Sequence, residues 1–250
     1  MIARERFSPL VRQGLRFKRK FEAAKAAIGA KDFDWYPYDS FSSLFCMQRL
    51  LVSAGLSLSG MAGNDPVLDI GAGDGALSFF LESLGHRVSA FDNAQANMNR
   101  MQGIRGLARH LQSRVEIKDT DVDLLPHIPP GNGLELFLGT LYHLKNPYGV
   151  LEALARSARY CFLSTRIACL GADRKTEIGA LPVGWLLDAG ECNGDDTNYW
   201  IFTAAGLERL VNRAGWSIRC SLTTGANASD PVSADGDQRA FLLLQSRRAD

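Results

Sequence analysis

Apolar residues at Phe17, Phe21, Ala24 and Ile28 recur every three or four positions, while Arg16, Lys20 and Lys25 fall off that stripe. The spacing predicts an amphipathic helix whose apolar face packs on a larger body. Pro37 and the cap-type residues Asp39 and Ser40 mark a turn, after which Phe41, Leu44, Phe45, Leu51 and Val52 predict a second helix. Gly60, Gly63, Asn64 and Pro66 make 57–66 read as a connecting loop.

From Val67 onward the pattern changes to alternation. Short apolar runs at 67–70, 87–91, 115–118, 134–139 and 160–165 predict strands. Between them lie helical stretches at 76–84, from 93 to about 111, and at 147–158, the last with proline in its first turn. A helix at 203–214 and strands at 217–223 and 240–245 complete the chain, and 167–200, rich in Gly and Asp, is expected to be irregular. Such alternation implies right-handed crossovers and an α/β fold, a doubly wound, mostly parallel sheet covered by helices on both faces. An N-terminal helical extension over 1–60 would precede a main domain over 61–250, with an insertion at about 167–200.

Composition changes this picture little. The chain has 250 residues, 46% hydrophobic and 22% charged, with a net charge of +1, so no global field argues for or against nucleic acid. Residues 1–31 are an exception, with nine Lys or Arg against two Glu. They read either as a solvated helix face or as an arm that touches phosphates. The five cysteines form no C-x-x-C pair and are odd in number, which points to reduced thiols rather than a disulfide framework or zinc site. Asp195 and Asp196 lack a spaced third ligand, so no metal is expected. His86, His110 and His127 are isolated in sequence and read as surface or loop residues. No apolar run has the length of a membrane span, and no signal-type stretch opens the chain, so a cytoplasmic location without a membrane partner is expected.

The candidate chemistry sits after the first predicted strand, in Asp69-Ile70-Gly71-Ala72-Gly73-Asp74-Gly75. Strand, glycine turn and helix together form a nucleotide cradle, because glycines admit close backbone approach and the helix N-terminus offers free N–H groups. Asp92, followed by Asn93, ends the next strand, where a carboxylate can accept both hydroxyls of a ribose. The run Gly71 to Ala76 also satisfies the dinucleotide form G-x-G-x-x-A, so an NAD-dependent oxidoreductase is an alternative; a plain structural turn is another. Asp69 favours S-adenosylmethionine, since that cofactor has no pyrophosphate and its amino group can meet an acid two residues before the first glycine. Asp121 and Val122 follow the third strand, where an acid can face the adenine amine.

Val67 to Gly75 resembles motif I of class I S-adenosylmethionine-dependent methyltransferases, which implies their seven-stranded sheet with an antiparallel last strand. A narrower resemblance rests on the end of the fourth strand. Gly139-Thr140-Leu141-Tyr142-His143 followed by Asn146-Pro147 is similar to the tRNA wobble-uridine methyltransferases and their relatives that use carboxy-S-adenosylmethionine. Asn198 to Thr203 and Gln238 to Leu242 resemble further segments of that family. The resemblance implies that Tyr142 and Arg239, with a lysine near 35–41, would hold the extra carboxylate. No lysine stands there, which favours plain S-adenosylmethionine and methyl transfer over carboxymethyl transfer.

The resulting expectation is a methyltransferase acting on a small molecule or a tRNA. Its cofactor site would comprise Asp69, Gly71, Ala72, Gly73, Gly75, Asp92, Asn93, Asp121, Val122, Gly139 and Thr140. Tyr142 and His143 would be catalytic, His143 as a general base near neutral pH. Trp35, Tyr38 and Arg239 would contact the acceptor, within a lid that Tyr36, Trp185 and Trp200 help to line. A non-catalytic cofactor- or RNA-binding module is the reading from a different class.

Overall fold

The computed structural model describes residues 8–29, 33–124, 128–233 and 237–248. Parts of the basic arm, His127 and the end of the Asp121–Pro126 run lie outside the described residues. The chain folds as a nine-stranded sheet flanked by helices. Strands β1 (Val67–Ile70), β2 (Val88–Asp92), β3 (Glu116–Asp119), β4 (Asn132–Leu138) and β5 (Ala158–Ala168) run parallel in the order β3-β2-β1-β4-β5. Strand β9 (Gln238–Ser246) lies antiparallel beside β5, and β8 (Trp216–Gly225) forms a hairpin with β9.

These seven strands match the expected sheet; of the other two, one lies within the expected insertion and one at its C-terminal end. Strand β5 outruns β4 by four residues, because Leu138 pairs with Ser164 whereas β5 continues to Ala168. That overhang would leave unpaired backbone groups. Strand β7 (Trp200–Thr203) pairs with Ile167 and Ala168 there, and β6 (Gly184–Leu186) pairs antiparallel with β7. The insertion predicted to be irregular is therefore stitched onto the C-terminal end of the parallel sheet, where ligands of open α/β sheets bind.

Alternation along the strands divides the core in two. Val67, Val88, Ala90, Leu134, Leu136 and Phe162 face one apolar cluster, with α1 (Pro9–Ile28), α2 (Ser43–Ala54), α4 (Ala76–Ser83) and α5 (Gln102–Leu111). Leu68, Ile70, Phe91, Phe137, Cys161 and Leu163 face the other, with α6 (Pro147–Ser157) and α7 (Ala204–Arg213). The N-terminal helices thus belong to the core: Phe21, Phe41, Phe79 and Phe80 are each no more than 2% exposed.

Three local expectations are corrected. The segment 57–66 carries a short helix, α3 (Leu58–Ala62), capped by the Ser57 hydroxyl accepting from the Gly60 N–H. It presses on β4 so closely that a Cβ on Gly133 would fall 2.3 Å from the Ala62 carbonyl oxygen. The stretch 93–101 is turns rather than helix, and α5 begins only at Gln102, because the Asn97 and Asn99 side chains take up backbone N–H groups there. Lys25, placed by its spacing on the solvated face, has a side chain only 12% exposed and pairs with Asp74. His110 is exposed on α5, in keeping with the expected surface position.

Candidate functional site

The glycine turn after β1 takes a left-handed course at Gly71, Gly73 and Gly75, with φ of 72°, 57° and 78°. Side chains rarely tolerate that region, and at Gly71 a Cβ would lie 2.1 Å from Thr140 Oγ1. The Thr140 hydroxyl donates to the Ile70 carbonyl at 3.1 Å, clamping the end of β4 to the end of β1.

Asp92 ends β2 beside this turn. Its Oδ2 accepts from the Gly73 N–H at 2.7 Å and its Oδ1 from the Asn93 N–H at 2.9 Å. Each oxygen keeps a lone pair for a further donor. Burial raises the Asp92 carboxyl above its ordinary pKa, and the Gly73 N–H pulls the other way. Asp69, 5% exposed, accepts from the Ser78 hydroxyl at 2.5 Å. Burial lifts it to about 6, with Ser78 opposing and Asp92 reinforcing. Two desolvated acids flanking one glycine turn form a place for a cation or for a ligand rich in donors. The Asn97 side chain, buried beside Asp92, also acts to lower the pKa of that carboxyl.

Asp74 joins this loop to the N-terminal segment. The Tyr36 N–H donates to its Oδ2 at 2.8 Å, Lys25 Nζ lies 3.1 Å from the same oxygen, and Asn99 Nδ2 donates to its Oδ1 at 2.8 Å. This carries the Tyr36 ring onto the turn, 3.6 Å from where a Cβ on Gly73 would stand. The Tyr36 hydroxyl accepts from the Met98 N–H at 3.3 Å. Burial, then the nearby Asp92, pushes its pKa to about 12, so it stays a neutral phenol. Trp35 and Tyr38 line a cavity of about 480 Å³ between α1 and this segment, together with Lys18 and Lys25. Tyr142, His143 and Arg239 are not among its walls.

The end of β4 turns through a 3-10 helix, Leu141–His143. The Arg239 guanidinium stands over the Tyr142 ring, 5.5 Å from its centroid. A Cβ on Gly139 would lie 3.6 Å from the Tyr142 hydroxyl and 3.9 Å from Arg239 Nη1. Asp237 accepts from Arg239 Nε at 2.9 Å, which turns the Nη edge of the fork toward the strand ends. The insertion closes over this group: the Tyr199 N–H donates to the Tyr142 carbonyl at 2.8 Å, and Trp200 Nε1 donates to the Lys145 carbonyl at 3.4 Å. Trp185, on β6, is partly buried among Ala168, Leu187 and Ile201.

After β3, Asp121 Oδ1 accepts from the Asp123 N–H at 3.0 Å, while Val122 is buried. Asp123 accepts from the N–H groups of Lys145 and Asn146, both at 2.9 Å, tying this loop to the one after β4. The structure therefore brings the expected residues Gly71, Gly73, Asp92 and Asn93 together and sets Thr140 against Gly71. Trp35 and Tyr38 line a cavity whose walls do not include Arg239. Sequence reasoning missed Asp74, Lys25 and Thr197, whose partners lie tens of residues away with no local pattern to mark them.

No family model and no curated protein sequence matches this chain. Solved structures do. The N-terminal domain of EvdMO1 with SAH bound has a TM-score of 0.54 at 16% identity, over 92% of this chain and 96% of that one. A Listeria monocytogenes protein, described as a candidate S-adenosylmethionine-dependent methyltransferase, has a TM-score of 0.58 at 11% identity, over 84% and 100%. The [4+2]-cyclase SpnF has a TM-score of 0.57 at 11% identity, over 96% and 97%. The shared feature is the fold: a central, mostly parallel Rossmann-like sheet with helices on both faces.

Proposed function

We propose that this protein is an S-adenosylmethionine-dependent methyltransferase. The observation that carries the reading is Asp92, a half-buried carboxylate fixed by the Gly73 and Asn93 N–H groups against a left-handed glycine turn, with lone-pair capacity left for a ribose. Asp69 suits the cofactor's ammonium group. The Tyr36 ring makes a wall over the turn, and Asp121 with Val122 faces the adenine. A neighbour of the same fold carries SAH, which supports the same class of cofactor here. Bound there, S-adenosylmethionine supplies an electrophilic methyl group, and the C–S bonding pair stays on sulfur. The chain's own part is to hold the acceptor in line, exclude water and manage a proton at the end of β4. Titration calorimetry with SAH, S-adenosylmethionine and NADH tests this. Micromolar affinity for SAH with none for NADH is expected; the reverse would establish the oxidoreductase reading.

The pairing of Tyr142 with Arg239 favours a second reading, in which this fork holds the carboxylate of carboxy-S-adenosylmethionine. Against it, Asp74 neutralises Lys25, which stands over the Trp35 ring, and Asp39 neutralises Lys18 of the same cavity. A desolvated carboxylate with only part of its partners costs several kcal/mol. Plain S-adenosylmethionine is therefore expected to bind more tightly, with Arg239 left for an anionic group on the acceptor. Parallel titrations decide: tighter binding of the carboxylated form, weakened by Arg239→Ala, would restore carboxymethyl transfer to tRNA.

A further inference from the structure

His143 has a hydrogen-bond environment that fixes where its proton sits. Its Nδ1 lies 3.2 Å from the Thr197 carbonyl oxygen and 2.9 Å from Thr197 Oγ1. A carbonyl can only accept, so Nδ1 must carry the proton. The hydroxyl agrees: Thr197 Oγ1 donates to Asp195 Oδ1 at 2.6 Å, which leaves its lone pairs, not its proton, for the imidazole. Asp195 is itself oriented by the Thr197 N–H, which donates to the same Oδ1 at 2.8 Å. The other ring nitrogen, Nε2, makes no hydrogen bond among the described residues and is not buried. Burial lowers the pKa of the ring; Asp195 and the Thr197 carbonyl pull it up, and Arg239 pushes it down. His143 is thus neutral at pH 7, with an available lone pair beside the Tyr142 ring, whose centroid is 4.3 Å away.

We propose that Thr197 and Asp195 are positioning residues that hold His143 as a general base with its proton on Nδ1 and its Nε2 lone pair open to the acceptor, so that the acceptor is a hydroxyl compound. This rests on the methyltransferase reading and names its substrate class. An amine attacks through a lone pair it already has and sheds its proton afterwards. A hydroxyl gains most from losing its proton as the new bond forms. In that step the acceptor O–H bond breaks, the proton goes to Nε2, and the electron pair stays on oxygen to form the bond to carbon. The imidazolium so formed is stabilised by the negative charge of Asp195, relayed through the Thr197 hydroxyl. The insertion, by this account, supplies part of the chemistry as well as covering it.

The test reads the imidazole directly. The chain has four histidines, so long-range nitrogen–proton NMR spectra of labelled protein are simple, and His143→Gln assigns the signal. The wild type is expected to show a protonated Nδ1 and an unprotonated Nε2 at pH 7.5, with a titration midpoint below 6.5. Asp195→Asn keeps an oxygen acceptor but removes the charge: the tautomer should persist while the midpoint falls further. Thr197→Val keeps the carbonyl acceptor, so the Nδ1 proton should persist while loss of the hydroxyl link to Asp195 lowers the midpoint, and Thr197→Ser should restore the wild-type midpoint. A protonated Nε2 in the wild type, or a midpoint unmoved by Asp195→Asn, would overturn the proposal. An extract incubated with enzyme and methyl-labelled cofactor should yield an O-methyl product, and an N-, S- or C-methyl product would overturn the acceptor class. SAH calorimetry on the same samples separates the two layers. Absence of SAH binding defeats the methyltransferase reading whatever the tautomer, whereas SAH binding with the wrong tautomer defeats only this proposal.

Discussion

Glu135 stands in the middle of β4 with no exposed surface, between its strand partners Leu68 and Cys161. Its Oε1 accepts from the Ser157 hydroxyl, and its Oε2 has no partner. Burial pushes the carboxyl from an ordinary 4.5 to about 8, against the opposing effect of Ser157. The folded protein therefore holds a proton there that the unfolded chain releases above about pH 4.5. An acid with a raised folded pKa contributes fully below its unfolded value, and stability falls as pH rises towards the folded value. Each pH unit in that window costs about 1.4 kcal/mol, so the loss reaches about 3 kcal/mol by pH 7 and about 5 kcal/mol above pH 8. Glu135→Gln removes the slope and keeps an oxygen for Ser157, while leaving the amide N–H groups without partners at a cost of about 1–3 kcal/mol. The variant should be less stable than wild type at pH 5 and equal or more stable at pH 8. Urea unfolding of both proteins from pH 5 to 8.5 measures this. Asp69 adds a slope of the same sign, but it is common to both proteins and cancels in the difference. Parallel curves would show that Glu135 is not held neutral, and the argument from burial would fail.

Other outcomes follow from the cofactor side. Asp92→Ala should weaken SAH binding by about 1.5–3 kcal/mol in calorimetry, with far-UV dichroism unchanged; equal affinity would remove the ribose assignment. Gly73→Val should abolish SAH binding, since a β-branched residue is strained at φ 57° and its methyl groups would meet the Tyr36 ring. Because Asp69 must be ionised to meet an ammonium group, affinity for S-adenosylmethionine should rise with pH through about 6 and level off above it; a flat profile from pH 5 to 8 would exclude that contact. If tRNA is the acceptor, its affinity should fall with salt at roughly −0.7 log units per phosphate contacted on single strands and depend on residues 1–31. Filter binding that ignores deletion of that segment would remove the basic arm as the RNA contact.

The sheet was legible because its information is local. Strands β1, β2, β4 and β5 each carry an apolar run, and the turn after β1 writes its backbone requirement as glycine at three alternate positions. Asp92 could be placed for the same reason, since it follows an apolar run directly. What stayed hidden depends on distance. Lys25 looks like every other lysine of α1 until the fold brings Asp74 to it. The helical reading of 93–101 failed because two asparagine side chains outbid the backbone ladder for its N–H groups. The strands of the insertion are only 3 and 4 residues long and lack alternation; they exist because β5 offers an unpaired overhang. Thr197 and Asp195 lie in that insertion, so their relation to His143 could not be read from spacing.

The two segments that frame the strand ends are attached in different ways, and the difference bears on what each can do. The N-terminal segment is anchored behind the opening by a buried aromatic cluster and in front of it by the Asp74 carboxylate, within the glycine turn itself. Any ligand that moves the turn must move Tyr36, so this segment is coupled to the cofactor. The stretch 187–200 places Leu187 and Cys192 in a small apolar cluster shared with Ala168 and Ile201, with Tyr142 packed against it, and meets the end of β4 through hydrogen bonds at Tyr199, Thr197 and Trp200. Segments held by few contacts open at lower free energy than the core. Opening on the insertion side would break the Tyr199, Thr197 and Trp200 contacts to the end of β4 and leave the Asp74 anchorage of the glycine turn in place. A base whose orientation depends on Thr197 is then assembled only when that side is closed, which ties proton removal to the closed, water-excluding state of the site.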